Sequence, residues 1–421
     1  MDHFEIRNGE LHAEDVPMSR IADEFGTPVY IYSRATLERH ARVFREGLAG
    51  LDRPPHLAFA VKSNPNLAVL RVMQREGFGA DVVSGGELAR ALAAGMAPHD
   101  VVFSGVGKTW AELELGLDKD IGQFNLESEE EGLELSELAA ARGVTARCAL
   151  RINPDIDAGT HEKISTGKAD NKFGVPIDMA VAMYLRLAAL PGLEMRGLAV
   201  HIGSQLADLR PLEQAFAKLG GVLQQIRNAG GSVTHMDLGG GLGVPYRAGE
   251  IMPSPAEYGA MVATATRGWD VTLMFEPGRV IAGNAGVLLT RVVRVKRNGN
   301  RTPFVIVDAA MNDLARPALY GSWHDFDAVK PGGNRMVGNI VGPICETGDT
   351  FAMERPMDAL ERGELAVFRT AGAYGATMAS SYNSRGFVAE VMVDGDKVAS
   401  VADRILPADI TAAERVPDWL D

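Results

Sequence analysis

The sequence predicts an α/β plus β protein: a (β/α)8 barrel of the TIM type joined to a second, mainly β domain. Three observations carry this. Strand-length apolar runs alternate with helix-length amphipathic segments from Leu57 to Pro277, and eight such runs can be counted. The runs end in polar or glycine residues, which is where barrels place chemistry. After Gly283 the helical segments thin out and strands joined by turns take over. An open doubly wound sheet is the structural alternative, and the count of eight weighs against it.

In chain order, Phe4-Glu-Ile-Arg reads as an extended piece, Asn8-Gly9 as a turn, Met18 to Phe25 as a short helix and Pro28 to Tyr32 as a strand. Ser33 can cap a helix whose apolar positions Leu37, Ala41, Phe44 and Leu48 keep one face, with Gly50 ending it. Strand runs then end near Lys62, Ser84, Ser104 and Asn125, the last being Ile121-Gly-Gln-Phe. Four more end near Asn153, Gly203 (from Gly197), Gly239 and Pro277. Helices between them include Gly86 to Ala94, Asp178 to Leu190, Leu209 to Asn228, and Ser128 to Arg142 with Ser128 and Glu131 as a capping box. Residues 153–174 form a long polar loop on the side where sites should cluster. Strands are expected at Val287 to Lys296, Phe304 to Asp308, Leu365 to Arg369 and Phe387 to Gly395. The expected domains are 33–283 for the barrel and 1–32 with 284–421 for the β-rich part.

Bulk properties narrow the function classes. A chain of 421 residues with 46% hydrophobic content can bury more than one core. Lys and Arg number 42 against 55 Asp and Glu, a net charge of −13, which argues against nucleic acid or a membrane surface as partner. An anionic substrate must therefore be met by local arginines. No apolar run approaches the roughly 20 residues needed to span a bilayer, and the N-terminus has no signal-peptide pattern. Two cysteines in a chain this long, Cys148 and Cys345, suggest a reducing, cytoplasmic setting without a disulfide framework.

The chain is organised around Leu57-Ala-Phe-Ala-Val-Lys62-Ser-Asn-Pro-Asn66. An apolar run stops at a lysine, a turn follows, and a helix begins with Asn66 as N-cap. A desolvated lysine there can lose its proton and become a nucleophile for Schiff-base formation; taken alone, the segment favours the plainer reading of a solvated strand-end lysine, and the rest of the chain changes that. Gly239-Gly240-Gly241-Leu242-Gly243 follows the seventh strand, where backbone N–H groups of a barrel often converge on a phosphate. Glu276-Pro277-Gly278-Arg279 closes the eighth strand, placing an acid and a base three residues apart, either as a simple ion pair or as partners for a ring nitrogen and an anion. His201, in Val200-His201-Ile202-Gly203-Ser204-Gln205, is by itself a packed core histidine, and beside Lys62 and Glu276 a candidate to cover an aromatic cofactor. No metal-ligand pattern appears.

Taken in order, Ala60-Val-Lys62-Ser-Asn, His201-Ile-Gly-Ser-Gln205, Gly239 to Gly241 and Glu276-Pro-Gly-Arg279 resemble the motifs of the pyridoxal-phosphate decarboxylases with an alanine-racemase-like barrel, fold type III. Asn312-Asp-Leu-Ala-Arg316-Pro-Ala-Leu-Tyr320, Cys345-Glu346-Thr-Gly-Asp349 and Gly372-Ala-Tyr374 are similar to the diaminopimelate decarboxylases in particular. The resemblance runs from Gly26 to Asn383, with Thr347 and Ser63 as mild departures.

The resemblance implies pyridoxal phosphate bound covalently to Lys62, with Glu276 keeping its ring nitrogen protonated so that the ring accepts electrons during decarboxylation. A racemase of this fold is expected to carry an arginine there. His201 would stack on the ring. Gly240, Gly241 and the Pro277-Gly278-Arg279 loop would bind phosphate, and Asp81 and Ser204 would assist or simply bond at strand ends. Arg279, Arg316 and Tyr320 suit the distal carboxylate of meso-diaminopimelate, and Glu346 its distal ammonium. Tyr374 would touch cofactor and substrate, and Cys345, otherwise an ordinary turn cysteine, would return a proton to the substrate carbon. The implied assembly is a homodimer with shared active sites. The nearest alternative is a related decarboxylase acting on ornithine, lysine, arginine or carboxynorspermidine.

Overall fold

The computed structural model describes residues 2–157, 159, 166–168 and 170–420. Positions 158, 160–165 and 169 of the expected polar loop lie outside the described residues. The chain divides into a unit of residues 38–244 and 251–281, and a unit of residues 1–37, 245–250 and 282–421.

The first unit is a closed parallel barrel. Its eight strands are His56–Ala60, Gly79–Val82, Val101–Phe103, Gln123–Leu126, Ala146–Asn153, Leu193–Ala199, His235–Asp237 and Thr272–Phe275. Each pairs with the next, and the last returns to the first through Met274 opposite His56 and Phe275 opposite Leu57. Phe59, Phe103, Phe124, Phe216 and Phe275 are fully buried. Phe44, Tyr258 and Phe275 form a three-ring cluster with centroids 6.0–6.4 Å apart, which seats two flanking helices on the last strand. The first of these helices, Arg34–Gly47, has Leu37, Ala41 and Phe44 buried, as is Leu48 beyond its end; a leucine or phenylalanine so placed contributes about 1.5–3 kcal/mol. Ser33 caps it, accepting from the Thr36 N–H at 3.1 Å. The helix ends at Gly47 rather than Gly50, giving way to tighter turns in which Leu48 N–H and Ala49 N–H bond the Arg45 and Glu46 carbonyls; a Cβ at Gly47 would meet the Pro255 carbonyl, so glycine admits that close approach.

The barrel also corrects three expectations. The fourth strand begins at Gln123, two residues late, because Ile121 serves the preceding helix: its N–H bonds the Gly116 carbonyl and its side chain covers the gap at Gly116. The sixth strand starts earlier, at Leu193, and stops at Ala199, so His201 lies just beyond it. Ser128 does cap Glu129–Arg142 by accepting from the Glu131 N–H, but the Glu131 carboxylate bonds Glu127 N–H (2.8 Å) and Lys108 Nζ (2.6 Å) instead of closing a capping box.

The second unit is mainly β. Val29–Ser33 lies at the centre of its large sheet, antiparallel to Gly286–Lys296 and parallel to Ala389–Asp394. Leu11, Ile21, Val29, Ile31, Leu289, Val367 and Val391 form its core. Expected strands appear at Phe304–Val307 and Leu365–Phe368. Six others were not legible: Glu10–Ala13, Val16–Pro17, Phe326–Ala328, Arg335–Val341, Thr350–Asp358 and Lys397–Ala402. Their apolar residues are few and broken up by charged, polar or glycine residues, and they are held by pairing with neighbours. Glu14, buried at φ 52°, accepts from Ser33 Oγ, Ala35 N–H and Gly395 N–H, tying the small sheet of Phe4–Arg7, Glu10–Ala13 and Val16–Pro17 to one end of two adjacent strands of the large one.

Candidate active site

The mouth of the barrel collects the titratable groups of the first unit. Lys62 sits in a 3-10 turn, Val61–Ser63, directly after the first strand, and Asn66 caps the helix that follows by accepting from Ala68 N–H at 2.9 Å. Lys62 Nζ is 2.6 Å from Asp81 Oδ2 on the second strand. Asp81 Oδ1 is buried and has no hydrogen-bond partner.

Glu276 ends the eighth strand fully desolvated. Burial first, then the charges of Asp237 and Asp81, push its carboxyl well above the usual range. Asp237, hydrogen-bonded to it, is raised by burial too, but Asn125 Nδ2 at 2.8 Å and the Gly239 N–H at 2.9 Å favour its charged form. The proton of this pair therefore rests on Glu276, with Ser104 Oγ 3.4 Å from its Oε1. Asp237, Asn125 and Ser104 were not singled out by sequence reasoning. A carboxylate inside the apolar run Val233 to Leu238 was the available signal, since a buried charge demands partners.

His201 is half-buried. The Gly240 N–H donates to its Nδ1 at 3.3 Å, so the ring's proton resides on Nε2. Desolvation, with the charges of Arg151 and Lys62, holds its pKa well below the usual value and keeps it neutral. Arg151, also missed, pairs with Glu127 at 2.7 Å and stacks on Phe173 at 4.9 Å; an arginine inside the fifth strand's run was its signal. Arg279 donates to Ser204 Oγ, with Nη2 at 3.1 Å. The glycine turn is packed against carbonyls: a Cβ on Gly240 would collide with that of Glu276, and one on Gly241, at φ 115°, with that of Gly203. Pro277 and Gly278 are buried, and a Cβ on Gly278 would press on Ala60 and Ser63.

These residues fit pyridoxal phosphate. An aldehyde needs an amine, which Lys62 provides. A basic ring nitrogen suits a buried protonated acid, which Glu276 provides. The orphaned Asp81 Oδ1 accepts no bond from the protein itself, and the glycine turn admits close approach of an anion.

The second unit holds the other expected residues. Arg316 is buried at the start of the helix Arg316–Tyr320, which carries Tyr320 at its end. Its guanidinium stacks on Tyr246 at 4.2 Å and donates to His324 Nε2 at 2.9 Å and Ser322 Oγ at 3.3 Å. Cys345 and Glu346 are exposed on a turn built by Asp349, whose two oxygens accept from Met311 N–H and Ile344 N–H, each at 2.7 Å. Glu346 accepts from Tyr382 Oη at 2.8 Å, and the Cys345 N–H donates to Asn383 Oδ1 at 3.2 Å. Tyr374 holds φ 56°, a conformation costly for a bulky residue and typical of sites under constraint. Cys148 is fully buried, with its thiol pushed up by desolvation, as expected of a core cysteine. Among the described residues no group of His, Cys, Asp or Glu could hold a metal ion, and no helix is long and apolar enough to cross a membrane.

Comparison with known proteins agrees with this geometry. Residues 34–283 match the family model described as pyridoxal-dependent decarboxylase, pyridoxal binding domain. The chain is 48% identical to the diaminopimelate decarboxylase of Zymomonas mobilis, covering 99% of both chains, and 50% identical to that of Pseudomonas aeruginosa, covering 98% of this chain and 99% of the relative. The solved diaminopimelate decarboxylase of M. jannaschii in complex with L-lysine superposes with a TM-score of 0.95 at 32% identity, covering 100% of this chain and 99% of that one. With a barrel carrying Lys62, His201 and Glu276 at its mouth, and this likeness over nearly its whole length, the chain belongs to the pyridoxal-dependent decarboxylases and, within them, to the diaminopimelate decarboxylase family.

Proposed function

We propose that the protein converts meso-2,6-diaminopimelate to L-lysine and carbon dioxide with pyridoxal phosphate, the closing step of lysine biosynthesis. The observation that carries the choice of reaction is Glu276, a buried acid holding its proton where a ring nitrogen is to be met. Full-length likeness to diaminopimelate decarboxylases, one of them solved with L-lysine, supports the substrate.

When bound, pyridoxal phosphate supplies an acceptor for the electron pair left on the substrate's α-carbon as carbon dioxide departs. Lys62 Nζ is the covalent anchor, held on its strand end by Asp81. Glu276, buried and hydrogen-bonded to Asp237, would hold the proton shared with the ring nitrogen of the bound cofactor. His201, neutral and fixed through Nδ1, covers one ring face. Gly240, Gly241, Ser204 and the Pro277-Gly278-Arg279 turn receive the phosphate. Arg279, Arg316 and Tyr320 bind the distal carboxylate, and Glu346 the distal ammonium. Tyr374 lines cofactor and substrate. The Sγ–H of Cys345 would give the α-carbon the proton that replaces the lost carboxylate, and the thiolate left behind, exposed on its turn, regains a proton from solvent, so that each turnover consumes one proton and releases one carbon dioxide.

The working assembly in this reading is a homodimer, each site joining one subunit's barrel to the Cys345-Glu346 turn of the other. The exposure of that turn supports it. A cytoplasmic location follows from the biosynthetic role and accords with two free cysteines, one exposed. Release of carbon dioxide from meso-diaminopimelate by purified holoprotein, with L-ornithine and L-lysine assayed in parallel, tests the reading; release from either of the latter alone would replace it.

A further inference from the structure

In the second unit Arg316 donates to His324 and Ser322 and stacks on Tyr246, and the two ring nitrogens of His324 have partners that fix its tautomer. His324 is 3% exposed. Its Nδ1 lies 2.8 Å from the carbonyl oxygen of Arg369, an acceptor only, so Nδ1 must carry the hydrogen. Its Nε2 lies 2.9 Å from Arg316 Nη1, a donor only, so Nε2 must be the lone-pair acceptor. Both contacts are made by one species, the neutral Nδ1–H tautomer. Tyr246 completes the cradle, its face against the guanidinium and its edge toward the imidazole at 5.2 Å.

The surroundings keep this arrangement rigid. Arg355 Nη1 donates to the His324 carbonyl at 3.0 Å and stacks on Trp323 at 3.3 Å, and Arg247 also stacks on Trp323, at 3.7 Å. The nearby Asp325 carboxylate is engaged by Trp323 Nε1 and the Ala248 N–H, both at 2.7 Å. Arg316, Tyr246 and the Arg369 carbonyl meet the His324 ring, and Arg355 meets its backbone carbonyl. A carboxylate at the place of Nε2 would fix the guanidinium equally well but cancel its charge; a neutral imidazole fixes it and leaves the charge intact.

We infer that His324 is a positioning residue for substrate recognition: as the neutral Nδ1–H imidazole it presets the Arg316 guanidinium on Tyr246 for the substrate's distal carboxylate. The inference rests on the reading of Arg316 given above. Protonation of His324 would set an N–H against an N–H and a cation against a cation, so substrate affinity should fall in acid. The loss should appear in KM rather than kcat, because Arg316 touches the end of the substrate that does not react.

The test uses the holoenzyme and three variants, His324→Leu, His324→Gln and Arg316→Ala. Steady-state kinetics with meso-diaminopimelate are paired with calorimetric binding of L-lysine, which keeps the distal carboxylate, and of 1,5-diaminopentane, which has none. His324→Leu should raise KM and the Kd of L-lysine roughly tenfold while the Kd of 1,5-diaminopentane stays put. His324→Gln, whose Oε1 can accept from Arg316, should recover most of that affinity and lose the acid rise in KM seen in the parent. Equal weakening of both ligands, no weakening of either, or an acid rise retained in His324→Gln overturns the inference. If Arg316→Ala itself fails to weaken L-lysine selectively, the reading of Arg316 falls and the inference with it. If Arg316→Ala does so and His324→Leu does not, only the inference falls. Should His324→Leu fail to fold, the pH profile of His324→Gln decides.

Discussion

Lys62 Nζ and Asp81 Oδ2 stand 2.6 Å apart but are unequally sheltered: the Asp81 side chain is fully buried, while that of Lys62 is 36% exposed. The carboxylate is fixed and the amine reaches outward from it. Borohydride reduction of the holoprotein should therefore fix the cofactor to the peptide containing Lys62, read by mass spectrometry. Lys62→Ala should lose covalent attachment and at least roughly a hundredfold in rate. A label on another lysine would show that the anchor has been misassigned.

Arg316→Ala and Glu346→Ala should lower kcat/KM for diaminopimelate chiefly through KM. Each removes one partner of a charge-assisted contact, worth about 1.5–3 kcal/mol, or roughly tenfold to 150-fold. Wild-type specificity constants in both variants would remove the distal-site assignment.

The shared-site dimer makes a complementation prediction. Lys62→Ala and Cys345→Ala homodimers each carry a lesion in every site. On random subunit exchange half the dimers are mixed, and each mixed dimer holds one intact site, so about a quarter of all sites should recover. Exchange demonstrated with differently tagged subunits, but without regained activity, would place both residues in one chain's site.

Asp313 offers a stability test that does not depend on turnover. It is buried, and desolvation pushes its carboxyl up from the ordinary range to about 6 despite the Ala310 N–H and Arg385. The folded state therefore holds the proton more tightly than the unfolded one. The stability this contributes is present in full below the unfolded carboxyl pKa and is lost as pH rises through about 6. For a shift of this size the change is about 3 kcal/mol. In urea unfolding at a series of pH values, the stability of the parent relative to Asp313→Asn should decline by that amount between about pH 4 and about pH 7. A difference independent of pH would mean that Asp313 is charged throughout.

The strand-turn-helix at Lys62 was legible because an apolar run, an Asn-Pro-Asn turn and an N-cap follow one another locally. The glycine turn and Glu276-Pro277-Gly278-Arg279 were legible for the same reason: each is one short stretch at one strand end. What could not be read were partnerships between distant strands. Asn125 meets Asp237 only because the fourth and seventh strands point both into the barrel. Arg316, Tyr246 and His324 are brought together by a loop that leaves the glycine turn and by the chain beyond a five-residue helix. Strand limits failed where an apolar residue served a neighbouring helix, as Ile121 does, and where polar strands were held by pairing alone, as Thr350–Asp358 is.

The central place of Val29–Ser33 bears on how the chain is made. This strand leaves the ribosome well before its two neighbours, Gly286–Lys296 and Ala389–Asp394, are made. At roughly 5–20 residues per second it waits on the order of tens of seconds for the first of them. The intervening barrel strands pair only among themselves and can close meanwhile. During that interval the early strand exposes two unsatisfied edges, and a chain halted before Ala389 would keep one of them bare, open to pairing with another nascent copy. Ribosome stalling or C-terminal truncation should therefore yield a closed barrel with an adhesive N-terminal strand, a product that aggregates through its β unit rather than one that merely lacks activity.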